Sequence, residues 1–351
     1  MRKLYTVLSI LGIAAGLVAA GAYFGPDISQ RAGAQKRMDP LARSGPTIKP
    51  TGIVKSYDLV VDETEGWELV SGMDGMDPVM TKAITYNGVT PGPTIRVTEG
   101  DTLRVVVNNQ LDQDTSIHWH GLHVPNAMDG VPGVTQDPIP AGGTFTYEFM
   151  APHAGTYMYH PHINSVEQID KGLYGLLIID PRRPDFPAYD KEFSMVVGAW
   201  MVDMDMGESA GMAMDYNYFT INGKAFPSVE PWEVEQGDRV RVRIVNISNM
   251  VHPFHMHGMD FKVIAKDGES IPVQNQQWMN TVSVNAGETY DIAFLADNPG
   301  TWVFHCHELH HTENDGMEPG GLIQVIKVQG DGDGEDGGMG SMSASGDRTR
   351  R

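Results

Sequence analysis

The strongest constraint on the fold of this chain is an internal repeat. Positions that match at one fixed offset are Gly100, Asp101, His118 and His120 in the first half and Gly237, Asp238, His255 and His257 in the second. At a slightly larger offset, the matching positions are Gly155, Thr156, His160 and His162 in the first half and Gly300, Thr301, His305 and His307 in the second. A repeat of this length indicates that one folding unit occurs twice.

The residues between these positions are typical of β-structure. Short runs rich in Val, Ile, Thr and aromatic residues alternate with Gly, Pro, Asn and Asp, and long helical periodicity is absent. We therefore expect an all-β protein built from Greek-key sandwiches or barrels. The chain of 351 residues is long enough for two such domains, which we place at residues 51–184 and 185–328.

The segments outside the repeat bear on the location of the protein. Residues 1–24 combine a basic start with an apolar run that ends in small residues, which is typical of a signal peptide or an uncleaved membrane anchor. Residues 25–50 are a predicted linker, and 329–351, rich in Gly, Asp and Ser, a predicted disordered tail. We expect a periplasmic or extracellular protein. Its net charge of −20 disfavours nucleic acid as a partner.

Histidine pairs are the main functional signal. Eight of the 13 histidines form four His-x-His pairs, which are His118/His120, His160/His162, His255/His257 and His305/His307. In a strand, residues i and i+2 point to the same face, so each pair directs two imidazoles to one location. Four pairs could build an eight-imidazole cluster for copper, zinc, iron or nickel. The alternative, coincidence on solvated strands, is disfavoured by the repeat.

The single cysteine, Cys306, lies between His305 and His307. An exported chain with one cysteine has no internal disulfide, so the thiol is either incidental or chemical. In a strand its sulfur points away from the two imidazoles and can ligate a second metal ion. The other ligands are suggested by His252, three residues before His255, and by His311, five residues after the cysteine. Two histidines and a thiolate, with a weak axial ligand, form a blue-copper electron-transfer site.

These motifs resemble the signatures of the multicopper oxidase family. The motifs are His118-Trp119-His120-Gly121, the run from His252 to Gly258, and His305-Cys306-His307 followed by His311. The resemblance covers both domains and implies cupredoxin-like folds with one type 1, one type 2 and two type 3 coppers per active unit. The ligands it implies are His252, Cys306 and His311 for type 1, His118 and His255 for type 2, and His120, His160, His162, His257, His305 and His307 for type 3.

Domain 1 lacks a type 1 site of its own. The positions that match His252, Cys306 and His311 are Thr115, Pro161 and Val166. This resembles the two-domain laccase branch, in which only the second domain carries type 1 copper. In that branch the other three coppers lie between domain 1 of one subunit and domain 2 of the next, which implies a head-to-tail homotrimer.

Two site residues fit the family pattern less directly. The family commonly has the axial methionine at the position of Gly316, whereas here Met317 follows it, so either Met317 is the axial ligand or the position is empty or filled differently. Asp129 matches an acidic residue that supplies protons in the family; the alternative is that Asp129-Gly130 only forms a turn. Three further histidines are not expected to bind metal: His123, His153 and His310.

The resemblance implies a laccase-like oxidase that couples one-electron oxidation of a donor to four-electron reduction of dioxygen to water. The donor stays open among phenols, aromatic amines and Cu(I). A polar stretch holds five methionines, whose thioethers favour Cu(I): Met201, Met204, Met206, Met212 and Met214. The stretch is either a cuprous-ion entry site or a loop without a metal role.

Two alternative functions remain from the sequence. One is a periplasmic copper-binding or copper-tolerance protein without significant turnover, which would not need a cysteine between two cluster histidines. The other is a copper nitrite reductase, which would place its cysteine ligand in the first domain, where Pro161 stands here. Oxygen uptake with a reducing donor separates both from an oxidase.

Overall fold

The structure of the chain is a computed structural model that describes residues 48–72, 77–183, 188–202 and 215–330. The predicted signal or anchor at 1–24, most of the linker, and nearly all of the tail lie outside these residues. So do four of the five clustered methionines, Met204, Met206, Met212 and Met214. Within the described residues, no helix has the length and apolar character needed to cross a membrane.

The first half of the described chain forms two four-stranded sheets, ordered β2-β1-β4-β6 and β3-β8-β7-β5. The strands are β1 (Val54–Val70), β2 (Val79–Tyr86), β3 (Gly92–Thr98), β4 (Thr102–Asn109), β5 (His118–His120), β6 (Thr144–Met150), β7 (Gly155–His160) and β8 (Gly175–Asp180). A 3₁₀ helix (Asn126–Met128) follows β5, and helix α1 (Ser165–Asp170) follows β7. In β4, Leu103, Val105 and Val107 are buried and alternate with more exposed residues, as a sheet with one core face requires.

The second half repeats this architecture with longer sheets, ordered β10-β9-β12-β18-β14-β15, with β16 paired to β14, and β11-β20-β19-β13-β17. Its strands are β9 (Lys191–Trp200), β10 (Tyr218–Ile221), β11 (Trp232–Glu235), β12 (Arg239–Asn246), β13 (His252–Met256), β14 (Phe261–Lys266), β15 (Glu269–Ser270), β16 (Trp278–Met279), β17 (Thr281–Val284), β18 (Thr289–Leu295), β19 (Gly300–Cys306) and β20 (Ile323–Gln329). Short 3₁₀ helices cover Val273–Asn275 and Leu309–Thr312.

Each half has its own core, and no sheet of the described residues mixes strands of the two halves. Trp119 and Tyr147 pack in the first core, and Phe254 and Phe304 pack in the second. The all-β prediction is confirmed. The boundary near residue 184 stays a prediction, because residues 184–187 lie outside the described part of the chain.

A polar cluster with a buried centre and an exposed edge joins the two halves. Thr156 of β7 donates a hydrogen bond of 2.6 Å to Asp291 of β18 and accepts one of 2.7 Å from Arg243 of β12. Glu192 of β9 accepts hydrogen bonds of 2.9 Å from both Arg243 and Arg96. Because buried charges are costly without partners, this cluster fixes β7 against the second half. β7 ends at one of the predicted histidine ligands.

Candidate metal centre

Strand pairing gathers the histidines of each domain. His118 of β5 lies directly opposite His160 of β7, and His255 of β13 lies directly opposite His305 of β19. Side chains of directly opposite residues point to the same face of a sheet. His120 also lies in β5, whereas His257 and His307 each follow the last residue of their strand and His162 lies two residues beyond the end of β7. The local register therefore produces two groups of four imidazoles, the domain 1 quartet and the domain 2 quartet.

The domain 1 quartet is compact. Nitrogen atoms of His118, His120 and His160 lie within 4.8 Å of one another, and His120 Nδ1 is 3.2 Å from His160 Nε2. The ring of His162 is 5.5 Å from the ring of His118. His118 Nδ1 is 2.8 Å from the carbonyl oxygen of Asp129, which accepts only from an N–H. The lone pair of His118 is therefore on Nε2, the other ring nitrogen.

The imidazoles of the domain 2 quartet also lie close together, but they are more exposed to solvent. His257 Nε2 is 3.1 Å from His305 Nε2, and the His255 ring is 5.0 Å from the His257 ring and 6.0 Å from the His307 ring. His255 and His305 each direct Nδ1 to a backbone carbonyl oxygen at 2.9 Å. His257 and His307 are exposed. These contacts fix the rings that have them and leave the other nitrogens available to a metal ion.

Burial keeps several of these imidazoles neutral. It lowers the pKa of His160 to about 3, and it also lowers the pKa of His120, with neighbouring imidazoles adding to the effect. In the domain 2 quartet, desolvation and the neighbouring rings lower the pKa of His257 and His305. A neutral imidazole has the lone pair that metal binding needs.

The two quartets do not meet within one chain. Across the described ranges, no ring contact or hydrogen bond joins an imidazole of one quartet to an imidazole of the other. His120 instead lies beside domain 2 at Gly287, where an added Cβ would be 3.4 Å from its Cε1. A single chain therefore has two groups of four histidines rather than one group of eight.

A second, separate donor group surrounds Cys306. Its Sγ lies 3.5 Å from His311 Nδ1 and 3.8 Å from His252 Nδ1, and the two nitrogens are 3.1 Å apart. All three residues are buried. Metal bonds to nitrogen and sulfur are about 2.0–2.3 Å long, so donors at these separations surround one point. Ser248 Oγ is 2.7 Å from His252 Nε2 and orients that ring.

The chemistry of this donor set fits copper. Burial lowers the pKa of His252 to about 3 and that of His311 to about 4, and it raises the pKa of the Cys306 thiol to about 12. Two neutral imidazoles are thus ready to bind, whereas the thiol needs a metal ion to lose its proton near pH 7. Two histidines and one thiolate are the ligands of a blue-copper site.

Met317, the candidate axial ligand, differs from the three buried donors in its exposure. Its side chain is 55% exposed, and its backbone N–H donates to the carbonyl of Asn314 at 3.0 Å. The ring of Phe219 lies 4.1 Å from the ring of His311 and covers that side of the group. Neither Phe219 nor Ser248 belongs to a sequence motif, and both reach the group only through folding.

The position of Asp129 is compatible with both interpretations of the sequence, and the proton role stays a prediction. Its Oδ1 is 3.5 Å from His118 Nδ1, so its carboxylate is near the domain 1 quartet. It also forms a turn, because Gly130 has φ of +81° and a Cβ there would collide with the carbonyl of Ile117.

The remaining histidines lie outside both quartets and outside the donor group around Cys306. The rings of His123 and His153 are 5.4 Å apart, and His153 bonds Tyr157. His310 is exposed, with its ring 4.1 Å from that of His311. At the matching place in domain 1, Thr115 is buried and donates to Gln168 at 2.9 Å, and Val166 is 46% exposed. That place offers no histidine or thiol.

Comparison with known proteins agrees with this geometry. Sequence profiles described as multicopper oxidase match residues 72–184 and 201–318. The chain belongs to the multicopper oxidase family. The predicted resemblance is thereby confirmed. Among solved structures, the multicopper oxidase mgLAC is 36% identical with a TM-score of 0.73, and the match covers 81% of this chain and 88% of that one. The blue copper oxidase from Nitrosomonas europaea is 32% identical with a TM-score of 0.70, covering 78% and 86%.

Curated relatives of this multicopper oxidase are longer. The copper resistance protein A of Escherichia coli is 29% identical over 291 residues, which are 67% of this chain and 45% of that protein. The chain thus spans about half the length of such relatives. The solved structures of similar length are therefore the better guide to its architecture.

Proposed function

We propose that this multicopper oxidase removes single electrons from a small donor and reduces dioxygen to water, as laccases do. The observation that carries the proposal is the position of Cys306. It belongs to the buried three-donor group, and its two covalent neighbours, His305 and His307, belong to the domain 2 quartet. When bound, copper would supply the one-electron redox chemistry and the site for dioxygen.

The ligand residues would form two separate copper sites, a type 1 site and a three-copper cluster. His252, Cys306 and His311 would hold type 1 copper in an apolar, buried site that admits electrons but not bulk water. His118 and His255 would hold type 2 copper, and the type 3 ligands would be His120, His160, His162, His257, His305 and His307. His305 Nδ1 donates to the carbonyl of Cys306 at 2.9 Å, so a bonded path joins the two places.

The quartets would complete each other between subunits. His162 in domain 1 and His257 and His307 in domain 2 are exposed and accessible to a second copy. Four imidazoles from one chain and four from the next would form the three-copper cluster, and a head-to-tail arrangement closes on itself as a homotrimer.

Asp129 would deliver protons to dioxygen reduction. Its carboxylate stands beside His118 and remains partly accessible to solvent. We expect Asp129→Asn to lower oxidase turnover by about tenfold to a hundredfold above neutral pH, because the amide cannot replace the carboxylate as a proton relay. The pH profile of turnover measures this. An unchanged profile would remove Asp129 from the mechanism, whereas copper content reports any purely structural effect.

The donor is tested by oxygen uptake with a phenol and with Cu(I). We expect uptake with both, because a donor that passes a single electron to the buried type 1 site does not have to fit a pocket of defined shape. Replacing the five clustered methionines with leucine should slow Cu(I) oxidation about tenfold and leave phenol oxidation unchanged, since thioethers favour Cu(I). Equal rates before and after replacement would leave the methionines without a metal role.

The same assay decides between the oxidase and the alternatives. A copper-tolerance protein without turnover would bind copper but consume no oxygen with either donor. A nitrite reductase would turn over with nitrite in place of oxygen. The predicted export to the periplasm or beyond is compatible with all three and is tested by fractionating cells that express the full chain.

A further inference from the structure

A cavity of ≈ 730 Å³ lies on the outer face of the sheet that contains β12, β18 and β14, where β7 and β8 of domain 1 approach. Arg239, Arg241 and Arg243 alternate along β12, so their side chains share this face. Cys306 belongs to the other sheet of domain 2. The cavity is therefore separate from the buried three-donor group and does not depend on the proposed oxidase function.

The cavity concentrates positive charge in an acidic protein. Lys262 of β14 joins the three arginines, whereas Asp291 is the only carboxylate in the described lining. Asp291 pairs with Arg241 and Arg243, and Glu192 also contacts both. No carboxylate of the described residues forms an ion pair with Arg239 or Lys262. In a chain with a net charge of −20, such a concentration of cations favours an anionic ligand.

Strand register explains the open space between the cations. Arg241 pairs with Ala293 in β18, and Ala293 pairs with Lys262 in β14, so the three residues form one row across the sheet. Two strand spacings separate the outer members by about 10 Å. Because the side chain of Ala293 is small, the space above the sheet between Arg241 and Lys262 is not filled by protein. An anionic group can therefore sit above Ala293 beside Lys262, with the guanidinium of Arg241, which already pairs with Asp291, on the other side.

The walls suit a flat apolar body. Lys262 Nζ stands 4.7 Å from the ring centre of Trp278, a residue that is 65% exposed. Tyr189 also lines the cavity, and its ring centre is 6.0 Å from Arg239 Cζ and 5.7 Å from Arg241 Cζ. The cavity is open on one side and lined by both apolar and charged residues, and its volume falls in the range of small-molecule sites.

We propose that this cavity binds a small aromatic carboxylate. The carboxylate lies over Ala293 between Lys262 and the arginines, and the ring packs along Trp278. Arginine and lysine both bind carboxylates, arginine with two parallel hydrogen bonds. Because Gly155 and Ile179 of domain 1 also line the cavity, the ligand contacts both domains.

The test is calorimetric titration of the copper-loaded full chain with benzoate, benzamide and inorganic phosphate. We expect benzoate to bind, and benzamide and phosphate each to bind at least about tenfold more weakly, since benzamide lacks the charge and phosphate the ring. Lys262→Gln and Ala293→Phe should each weaken benzoate about tenfold or more, the first by removing charge and the second by filling the space. Lys327→Gln on β20, an exposed lysine of the other sheet, is the control and should change nothing.

Three results would overturn the proposal. One is benzoate that fails to bind or binds equally well to Lys262→Gln and Ala293→Phe. Another is an affinity for phosphate equal to that for benzoate, which would show that the site binds anions in general. The third concerns the acidic residues that follow Gly330, a residue beside the turn that precedes Arg239. If a chain ending at Gly330 binds benzoate about tenfold more tightly than the full chain, the acidic tail competes for the cavity and is its occupant. The proposed ligand would then be wrong.

Discussion

Replacing Cys306 with serine is expected to abolish the blue absorbance and to lower oxidase turnover by roughly three orders of magnitude or more. The thiolate is the one sulfur donor in the buried group, at 3.5 Å and 3.8 Å from the two imidazole nitrogens. A serine hydroxyl does not ionise near neutral pH and is a poor ligand for copper in a site of this kind. Electrons would then have no entry point that is bonded to His305 and His307.

Absorbance, copper content and oxygen uptake together measure this result. Cys306→Ser should keep its fold, because the change is nearly isosteric, and it should keep the coppers held by the quartets. Circular dichroism and the copper-to-protein ratio are the controls. A Cys306→Ser protein with normal turnover would show that electrons enter elsewhere, and the proposed route would be wrong.

Mixing two inactive variants is expected to restore activity. His162→Ala damages only the domain 1 quartet, and His257→Ala damages only the domain 2 quartet. Both residues are exposed, so neither change should disturb a core. If each cluster joins domain 1 of one chain to domain 2 of the next, one combination in four has both quartets intact. Equal co-expression should therefore yield about one quarter of wild-type turnover.

The matched control pairs two variants of the same quartet. Co-expression of His162→Ala with His118→Ala leaves every domain 1 quartet damaged, so no combination is intact and turnover should stay at background. Sedimentation shows whether the mixed chains assemble. Recovery in the control, or none in the first mixture despite mixed assembly, would contradict a cluster shared between subunits.

Loss of the blue absorbance and recovery by mixing report on different levels of structure. The first depends on three side chains of one domain, whereas the second depends on contact between two copies. A protein that failed only the mixing experiment would still have its electron-entry site. Its eight histidines would then act as two separate groups of four.

The sequence predicted the content of each donor group because strand geometry is local. Residues two apart in a strand share a face, which predicts that His305 and His307 point together and Cys306 the other way. The two rings do lie 5.8 Å apart, although β19 ends at Cys306. The internal repeat predicted that domain 1 would lack the second group, since Thr115 and Pro161 offer no suitable donor. The all-β fold followed from the same short alternating runs.

The sequence alone therefore predicted the fold class, the members of the two quartets and the donor set around Cys306. Three features emerged only from folding: the quartets lie apart in one chain, Met317 is mostly exposed, and Ser248 orients His252. Folding also decided that Arg241 and Lys262 face each other across Ala293. The physical reason is that strand alternation fixes which residues share a face, whereas sheet register and domain packing fix which faces meet.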